Sequence, residues 1–383
     1  MEITKGIYNI GVKDNSIDLF EGLYTVPDGI LYNSYLVIDD KITVFDTADA
    51  RFSDEWLANL KTVLDGRKPD YLVVEHMEPD HSASIAKFIA EYPDAVVVSE
   101  TKAFKMMSQF FGDDISFNKL EIKEGDELCT GRHNFIFVAA PMVHWPEVML
   151  AYDTTDKILF SADAFGKFGS SDTTDDWDDE ARRYFIGIVG KYGAQVQTLL
   201  KKAATLEISM ICPLHGPVIK ENFGHYIELY DKWSSYTPEA DGVVIAYASI
   251  YGNTKKAALL LADKLKEKGC ETVVAFDLAR DDKYEALAQA FRCSKLVLAT
   301  PTYNSELFPP VRAFIDMLAE RGYKNRIVGF IENGSWAPVA AKLMEKRFAE
   351  LKGITFAENK VTVKSALSKE SVAQIEALAN ELC

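Results

Sequence analysis

The segment from Tyr71 to Ser82 reads YLVVEHMEPDHS and decides which fold the first half of the chain adopts. Its first residues are aromatic and β-branched, which predicts a short buried strand. Side chains alternate along an extended chain, so His76, Glu78 and Asp80 are expected on the same side. The segment therefore brings an imidazole and two carboxylates together at the end of a strand.

Pro79 shapes the end of this segment, because a proline favours an extended conformation at the residue before it. We expect a helix to begin only at Ser82, directly after His81. Two imidazoles and two carboxylates are costly to bury without partners. The segment therefore predicts a metal site rather than a chance polar turn.

Further candidate ligands follow other predicted strands. His144 follows the strand that ends in VAAP, Asp163 follows KILFSA, and His215 lies in PLHGP after ISMIC. Layered α/β folds gather their functional loops at strand ends. Together with His76 and His81, His144 and His215 make four of the six histidines candidate ligands. We assign ordinary loop or surface roles to His133 and His225.

A chain of 383 residues is long enough for two domains. Strands and helices mix up to about residue 236, which indicates a layered α/β or α+β domain. Proline, glycine and acids cluster in TPEADG, from Thr237 to Gly242, which is typical of a linker. We therefore predict domains at 1–240 and 241–383. Within the first, residues 178–206 are predicted to form one long helix, with a break at its glycines as the alternative.

Beyond the linker, five strands alternate with five helices, which predicts a doubly wound five-stranded parallel sheet. Small hydroxyl residues and glycine follow the first strand and precede a helix, a pattern suited to binding a phosphate monoester. The ends of the third and fourth strands supply two more loops, in which Tyr303 or Trp336 is available to stack on a flavin ring. The predicted FMN-binding residues are Ser249, Ile250, Tyr251, Gly252, Asn253, Thr254, Pro301, Thr302, Tyr303, Asn304, Asn333, Gly334, Ser335 and Trp336.

The pattern HxExDH with a later His, Asp and His resembles the metallo-β-lactamase superfamily, whose usual hydrolase motif is HxHxDH. Glu78 stands in the place of the second histidine and gives a harder, more anionic site that suits iron better than zinc. With the flavodoxin-like second half, the chain resembles the flavodiiron proteins over almost its whole length. That resemblance implies an αββα sandwich for the first domain.

The resemblance also implies how the ligands are shared between two iron ions. One ion is held by His76, Glu78 and His144, the other by Asp80, His81 and His215, and Asp163 lies between them. His81 is not engaged in every member of the family. The implied activity is reduction of dioxygen to water, nitric oxide to nitrous oxide, or both, with electrons relayed through FMN. A reduced FMN and two ferrous ions hold enough electrons for either reaction.

The resemblance further implies a head-to-tail homodimer or a dimer of such dimers. A separate small donor such as rubredoxin is expected, because the sequence contains no CxxC-bearing module. Two other classes of function stay open: a metal-dependent hydrolase with a regulatory flavodoxin domain, and an electron carrier with an inert metal domain. Glu78 argues against the hydrolase, because such enzymes ordinarily keep a histidine there.

Composition excludes several other classes of function. The net charge of −16 and the lack of a basic stripe argue against nucleic acid as a partner. The first residues lack the apolar core of a signal peptide, and no apolar run is long enough to cross a membrane, so a cytoplasmic protein is expected. We expect the five scattered cysteines to be buried or idle thiols. The acid-rich run before residue 180 is interpreted as a solvated helix cap.

Overall fold

The computed structural model describes residues 1–383, and the chain divides into two compact units. Unit 1 comprises Met1–Tyr184 and Ala194–Asp231, and unit 2 comprises Phe185–Gly193 and Lys232–Cys383. The domain boundary after residue 240 stays a prediction. No helix is both long enough and apolar enough to pass through a lipid bilayer.

Unit 1 contains a seven-stranded and a five-stranded sheet. Its strands are β1 (Glu2–Thr4), β2 (Ile7–Asn9), β3 (Val12–Asp14), β4 (Leu19–Phe20), β5 (Tyr24–Thr25), β6 (Ile30–Tyr32), β7 (Tyr35–Val37), β8 (Thr43–Phe45), β9 (Tyr71–Val73), β10 (Val96–Ser99), β11 (Asn118–Glu121), β12 (Glu127–Cys129), β13 (Asn134–Ala139), β14 (Met149–Asp153), β15 (Ile158–Phe160) and β16 (Met210–Cys212). The first sheet has the order β1-β2-β7-β8-β9-β10-β11, and the second has the order β12-β13-β14-β15-β16. The pairs β3-β6 and β4-β5 form separate two-stranded sheets.

The two sheets share one hydrophobic core. Phe45 of β8 stacks on Phe160 of β15 with ring centroids 4.2 Å apart. Val98 of β10 and Phe137 of β13 are buried in the same cluster. Side chains from the inner faces of both sheets thus fill one layer, as in a β-sandwich. The sandwich leaves its strand ends free to carry loops.

Helices complete unit 1. They are α1 (Ser53–Leu64), α2 (Pro79–Ser82), α3 (Ile85–Glu91), α4 (Thr101–Phe111), α5 (Trp177–Tyr184), α6 (Gly193–Ala203) and α7 (Phe223–Ser235), the last of which continues into unit 2. In α1 the residues Trp56, Leu60 and Leu64 are buried at a spacing of four, which places them on one face of the helix.

The expected start of the helix after the metal motif was wrong. Helix α2 begins at Pro79, three residues earlier than Ser82. Proline suits the first position of a helix because its ring fixes φ and its missing N–H has no partner to lose there. Glu78 stays extended, with φ −60° and ψ 137°. The side chains of Asp80 and His81 therefore project from a helical turn. Only His76 and Glu78 follow the alternation expected of an extended chain.

The long helix predicted over residues 178–206 is interrupted, as its glycines allow. Helix α5 ends at Tyr184, a π-helical turn covers Phe185–Val189, a 3-10 turn covers Gly190–Tyr192, and α6 follows. Glycine lowers helix stability because it loses much backbone freedom on folding. Gly193 has a packing reason as well, since a Cβ there would lie 2.3 Å from the carbonyl oxygen of Ser234.

Unit 2 has the predicted doubly wound sheet. Its strands are β17 (Ala240–Tyr247), β18 (Val273–Asp277), β19 (Cys293–Tyr303), β20 (Glu306–Leu307), β21 (Arg326–Asn333), β22 (Ile354–Phe356) and β23 (Val361–Val363). The main order β18-β17-β19-β21-β22 is parallel throughout. The fifth strand is split, because β22 and β23 both pair in parallel with β21. The helices are α8 (Asn253–Glu267), α9 (Lys283–Arg292), α10 (Pro309–Glu320), α11 (Ala340–Phe348) and α12 (Lys369–Leu382).

The expectation of idle thiols was wrong for two of the five cysteines. Cys270 and Cys383 form a disulfide with their Cα atoms 5.8 Å apart, across a sequence separation of 113 residues. The bond links the chain just beyond α8 to the end of α12, two helices that pack against the same core. The thiols of Cys129, Cys212 and Cys293 are free.

This disulfide should stabilise unit 2. Closing a long loop removes conformational freedom from the unfolded chain, and such bonds typically contribute about 2 to 4 kcal/mol. We expect Cys383→Ser to lower the denaturant midpoint of unit 2 under non-reducing conditions, and a reductant to abolish the difference from the wild type. Cys129→Ser is the matched control. Equal midpoints for the wild type and Cys383→Ser would contradict the prediction.

Candidate metal centre and cofactor cavity

The seven predicted ligands meet in one pocket of unit 1. They come from five places in the fold: His76 and Glu78 from the loop after β9, Asp80 and His81 from α2, His144 from the loop after β13, Asp163 from the loop after β15, and His215 from the loop after β16. Six of the seven are buried, and Glu78 is half-buried. The strand ends of both sheets thus contribute to one site.

Four of the residues form a first group. The Nε2 atom of His144 lies 3.0 Å from Oε2 of Glu78 and 3.0 Å from Oδ2 of Asp163. The Nε2 atom of His76 lies 3.3 Å from the same Glu78 oxygen and 3.5 Å from the same Asp163 oxygen. Two nitrogen and two oxygen donors therefore face a common centre, with all four atoms within 4.8 Å of one another.

Asp80, His81 and His215 form a second group. The Nε2 atoms of His81 and His215 each lie 3.3 Å from Oδ2 of Asp80. They also face the other oxygen of Asp163, Oδ1, at 3.4 and 3.8 Å. Asp163 thus turns one carboxylate oxygen to each group, as a ligand that bridges two ions would.

The donors in this pocket fit metal cations. Both oxygens of Asp80 and Oδ1 of Asp163 are buried without a hydrogen-bond donor. The Nε2 atoms of His81 and His215 lie 3.0 Å apart beside these oxygens. A cation bound among these atoms would satisfy the buried oxygens. Three carboxylates with four imidazoles make a hard, anionic set, which suits iron better than a site richer in neutral ligands.

The charges of the pocket shift the pKa values of its own groups. Burial opposes ionisation of Asp163, but the imidazoles of His76, His144 and His81 outweigh it and hold its pKa well below the usual range. Burial also disfavours the charged form of His144, yet its hydrogen bonds to Asp163 and Glu78 raise its pKa to about 9. The pKa values of His76 and His215 are raised as well, so the metal-free pocket holds protons on these three imidazoles, and a metal must displace them.

The backbone around Asp163 is held by a buried carboxylate. Ala162 adopts a left-handed conformation with φ 47°, which is uncommon for a residue with a side chain. Its N–H donates to Oε2 of Glu75 at 3.1 Å, and the N–H of Ala151 donates to Oε1 of Glu75 at 2.9 Å. Glu75 thus ties the loop that carries Asp163 to strand β14. Although Glu75 directly precedes His76, no pattern in the sequence marks its role.

Several more groups at the site were missed by the sequence analysis. The rings of Phe20, Tyr32 and Tyr184 surround His215, with centroids 5.5, 6.0 and 5.4 Å from its ring. Glu21 lies at the tip of the hairpin between β4 and β5, where desolvation of its carboxyl group and the charge of Glu78 raise its pKa to about 7. No local sequence pattern marks these residues, because they lie more than forty positions from the segment His76–His81.

The two histidines outside the ligand set have partners of their own. His133 is buried, and its Nδ1 lies 2.7 Å from Oδ2 of Asp153. Arg132 pairs with Asp156 beside it, so a cation already balances the charge of Asp156. The exposed His225 lies 2.7 Å from a carboxylate oxygen of Asp178. Both contacts agree with ordinary structural roles.

Unit 2 contains a cavity of about 470 Å³ at the carboxyl ends of its strands. Of the residues predicted to bind FMN, the cavity is lined by Ser249, Ile250, Tyr251, Asn253, Thr254, Pro301, Thr302, Asn304, Asn333, Gly334, Ser335 and Trp336. Gly252 and Tyr303 do not line it. The ring of Tyr303 packs edge-on against Phe308 at 5.4 Å, so of the two predicted stacking residues only Trp336 lines the cavity.

The loop before α8 is built to bind an anion. Gly252 precedes the helix with φ 86°, a conformation that glycine adopts easily. Its N–H donates to Oγ of Ser249 at 3.1 Å, which closes the loop. The first N–H groups of a fifteen-residue helix lie beside this loop, where they favour a phosphate. Tyr251 and Trp336 are 92% and 82% exposed at the cavity, and flat aromatic surfaces of this kind fit a flavin ring.

Three further residues line the cavity and were missed in the sequence, namely Ser305, Ala337 and Ser365. All three have positive φ values of 60°, 43° and 69°. Such conformations cost free energy in residues with side chains and often occur at binding sites. Asn333 holds Ser365 in place by two hydrogen bonds of 3.1 Å, one in each direction. The cavity wall is thus fixed by contacts between loops rather than by a motif.

Comparisons with known proteins match each half of the chain to a family model. Residues 30–216 match the family model described as ODP family beta lactamase, and residues 245–375 match the flavodoxin model. A nitric oxide reductase of Moorella thermoacetica is 32% identical over 94% of this chain and 92% of its own length. An anaerobic nitric oxide reductase flavorubredoxin of Salmonella arizonae is 28% identical over 91% of this chain and 75% of its own length.

Solved structures give the same result. The flavodiiron protein of Giardia intestinalis superimposes with a TM-score of 0.93 at 26% identity, over 100% of this chain and 95% of its own. Rubredoxin oxygen:oxidoreductase of Desulfovibrio gigas superimposes with a TM-score of 0.93 at 25% identity, over 100% of this chain and 97% of its own. The predicted combination of a metallo-β-lactamase-like and a flavodoxin-like domain is confirmed.

The raised pKa of His144 predicts how the stability of the metal-free protein depends on pH. Its pairing with Asp163 and Glu78 stabilises the fold fully below pH 6.5, and this contribution is lost as pH rises through about 9. The loss is on the order of 3 kcal/mol for this single group. Denaturant unfolding of metal-free protein at about pH 6 and about pH 9 measures it.

His144→Asn should flatten this dependence, whereas the exposed His225→Asn should leave it unchanged. An equally steep loss of stability in His144→Asn and the wild type would contradict the assignment to His144.

Proposed function

Because this chain belongs to the flavodiiron protein family, we propose that it reduces nitric oxide to nitrous oxide, dioxygen to water, or both. Its relatives are oxidoreductases of this kind. The observation that carries the proposal is the carboxylate of Asp163, whose two oxygens face two separate ligand groups in unit 1. The two ligand groups would hold a pair of adjacent metal ions, and such a pair would supply the reducing chemistry for a diatomic substrate.

The proposed cofactors are one FMN and two iron ions. His76, Glu78 and His144 would hold one ion, and Asp80, His81 and His215 the other, with Asp163 shared. When bound, the reduced flavin supplies two electrons and the two ferrous ions supply one each, which covers either reaction. Glu78 contributes a charged oxygen donor where the related hydrolases use a neutral imidazole, and this favours iron over zinc.

The protein around the metal site keeps it dry and rigid. Phe20, Tyr32 and Tyr184 are buried against His215 and limit the access of water. The Nδ1–H of His215 donates to the carbonyl oxygen of Leu31 at 2.8 Å, which leaves Nε2 as the metal-facing nitrogen. A dry, fixed set of donors strengthens electrostatic interactions and avoids reorganisation during the reaction.

In unit 2 the proposed FMN contacts divide by chemistry. The loop Ser249–Thr254 would bind the phosphate through backbone N–H groups at the start of α8. Trp336 would pack on the isoalloxazine ring, and the loops after β19 and β21 would meet its polar edge. The absence of a lysine from the phosphate loop suits a monoester rather than a nucleotide triphosphate.

Electrons reach proteins of this family from a redox partner. We propose a small electron-transfer protein such as rubredoxin as that partner, a head-to-tail homodimer or dimer of dimers as the assembly, and the cytoplasm as the location. Sedimentation velocity tests the assembly directly, since a monomer at micromolar concentration would contradict it. Reduction of the bound FMN by an added rubredoxin tests the partner.

Replacing Asp163 should abolish gas reduction while flavin chemistry survives. Asp163→Ala removes the carboxylate that the two ligand groups share, so we expect terminal reductase activity to fall by at least a hundredfold. Stopped-flow mixing of anaerobically reduced protein with nitric oxide, and separately with dioxygen, measures the rate and the preferred gas. Asp172→Ala, in the exposed acid-rich run, is the control.

Two outcomes would contradict the proposed reductase. Unchanged activity in Asp163→Ala would favour an electron carrier with an inert metal domain. Failure of the wild type to consume either gas, together with cleavage of esters or lactams, would favour a hydrolase.

Replacing Trp336 should weaken flavin binding. Trp336→Ala removes an exposed aromatic surface at the cavity, and a lost stacking contact of about 1.4 kcal/mol raises the dissociation constant of FMN about tenfold. Fluorescence titration of flavin-free protein with FMN measures the change. Tyr303→Ala is the matched control, because Tyr303 is also exposed but does not line the cavity. A larger effect of Tyr303→Ala would contradict the assignment.

A further inference from the structure

Glu147 contacts the imidazole of His76 on the side away from the metal site. It is fully buried in the loop between His144 and β14. Its Oε1 lies 2.9 Å from Nδ1 of His76, while Nε2 of His76 faces Glu78 and Asp163. The imidazole therefore links a carboxylate on one side with the proposed metal on the other.

The same oxygen of Glu147 also binds the backbone of the motif. The N–H of Met77 donates to Oε1 at 2.9 Å, and Met77 lies between the two ligands His76 and Glu78. Nearby, the N–H of Met149 donates to the carbonyl oxygen of Glu75 at 3.0 Å, which pins the chain before His76 to β14. Glu147 thus fixes the imidazole of one ligand and the backbone next to another.

The imidazoles of the second group, His81 and His215, have weaker support behind them. The Nδ1 atom of His215 binds the uncharged carbonyl oxygen of Leu31 at 2.8 Å. The Nδ1 atom of His81 is buried without a hydrogen-bond partner. A carboxylate accepts a stronger hydrogen bond from an imidazole than a carbonyl does, and it makes the opposite nitrogen a better metal donor. The two ligand groups therefore differ in the contacts behind their imidazoles as well as in the donor atoms themselves.

We propose that Glu147 is a positioning residue that acts through His76 and selectively strengthens iron binding in the group formed by His76, Glu78 and His144. It holds His76 in the tautomer that carries its proton on Nδ1, so that Nε2 is free to bind iron. The ring of Trp145 supports this orientation, since it meets the His76 ring edge-on at a centroid distance of 5.3 Å. The inference rests on the proposed iron site.

A purely structural role for Glu147 predicts a different result. If Glu147 only held the loop together, its loss would loosen both ligand groups, because both contain residues from the segment that begins at His76. If it acts through His76, its loss should weaken one ion and spare the other. Glu147→Gln separates charge from geometry, because its amide oxygen can still accept both hydrogen bonds but carries no charge.

The test is anaerobic titration of metal-free protein with ferrous ion in competition with a chromogenic chelator. We expect wild type to bind two ions, and Glu147→Ala to bind one of them about 10- to 100-fold more weakly. Glu147→Gln should lie between wild type and Glu147→Ala. Glu55→Gln, at an exposed position in unit 1, should bind as the wild type does.

His215→Asn shows which ion Glu147→Ala affects. This variant should weaken binding of the ion held by Asp80, His81 and His215. The double variant Glu147→Ala with His215→Asn should therefore weaken binding of both ions, each by the amount seen in the single variant. Equal weakening of both ions by Glu147→Ala, or no weakening, would overturn the role of Glu147. If Glu147→Ala does not fold, Glu147→Gln decides alone, and wild-type affinity in that variant would overturn it.

These results also separate this inference from the proposed function. Only the role of Glu147 would be refuted if the wild type binds two ferrous ions and reduces gas while Glu147→Gln binds iron with wild-type affinity. Wild type that binds no iron would refute the iron site itself.

Discussion

The buried charges of Asp163 and its neighbours are the constraint on which the rest of unit 1 depends. Each oxygen of this carboxylate faces a different group of ligands, and one of the two has no hydrogen-bond donor. Burial of an ionised carboxylate is costly unless positive charge lies close to it. In the metal-free chain protonated imidazoles supply that charge, and in the proposed holoprotein iron supplies it instead.

The surrounding fold can be understood as support for this cluster. Two sheets place their strand ends side by side, so that five separate loops and turns reach one point. A second layer of buried acids then holds these loops: Glu75 binds the backbone near Asp163, and Glu147 binds His76 and Met77. The cavity of unit 2 is built more simply. A parallel sheet gathers its loops at one edge, and the start of a helix provides the anion site.

The sequence predicted which side chains come together in unit 1, because they are grouped in it. Four lie within six residues, and the other three each follow a strand whose hydrophobic pattern is plain. Most of the cofactor loop residues were predicted for the same reason. The start of α2 was placed too late because Pro79 favours both an extended residue before it and a helix after it, and only the second effect sets the helix start.

What the sequence could not predict depends on contacts between distant residues. Glu147 and Glu21 gain their importance from His76 and Glu78, which lie about seventy and fifty-seven positions away. The disulfide joins cysteines 113 residues apart, and Tyr303 turns to Phe308 although its position suited a flavin contact. No local pattern encodes such pairings, since they arise only when the sheets and helices pack.

The most direct test of the central claim is a titration of metal-free, flavin-loaded protein with ferrous ion in which bound iron and the rate of flavin reoxidation by nitric oxide or dioxygen are followed together. We expect negligible reoxidation through the metal site without iron, followed by a rise that stops at two ions bound per chain. A rate that is already maximal without iron, or that does not respond to bound iron, would contradict it.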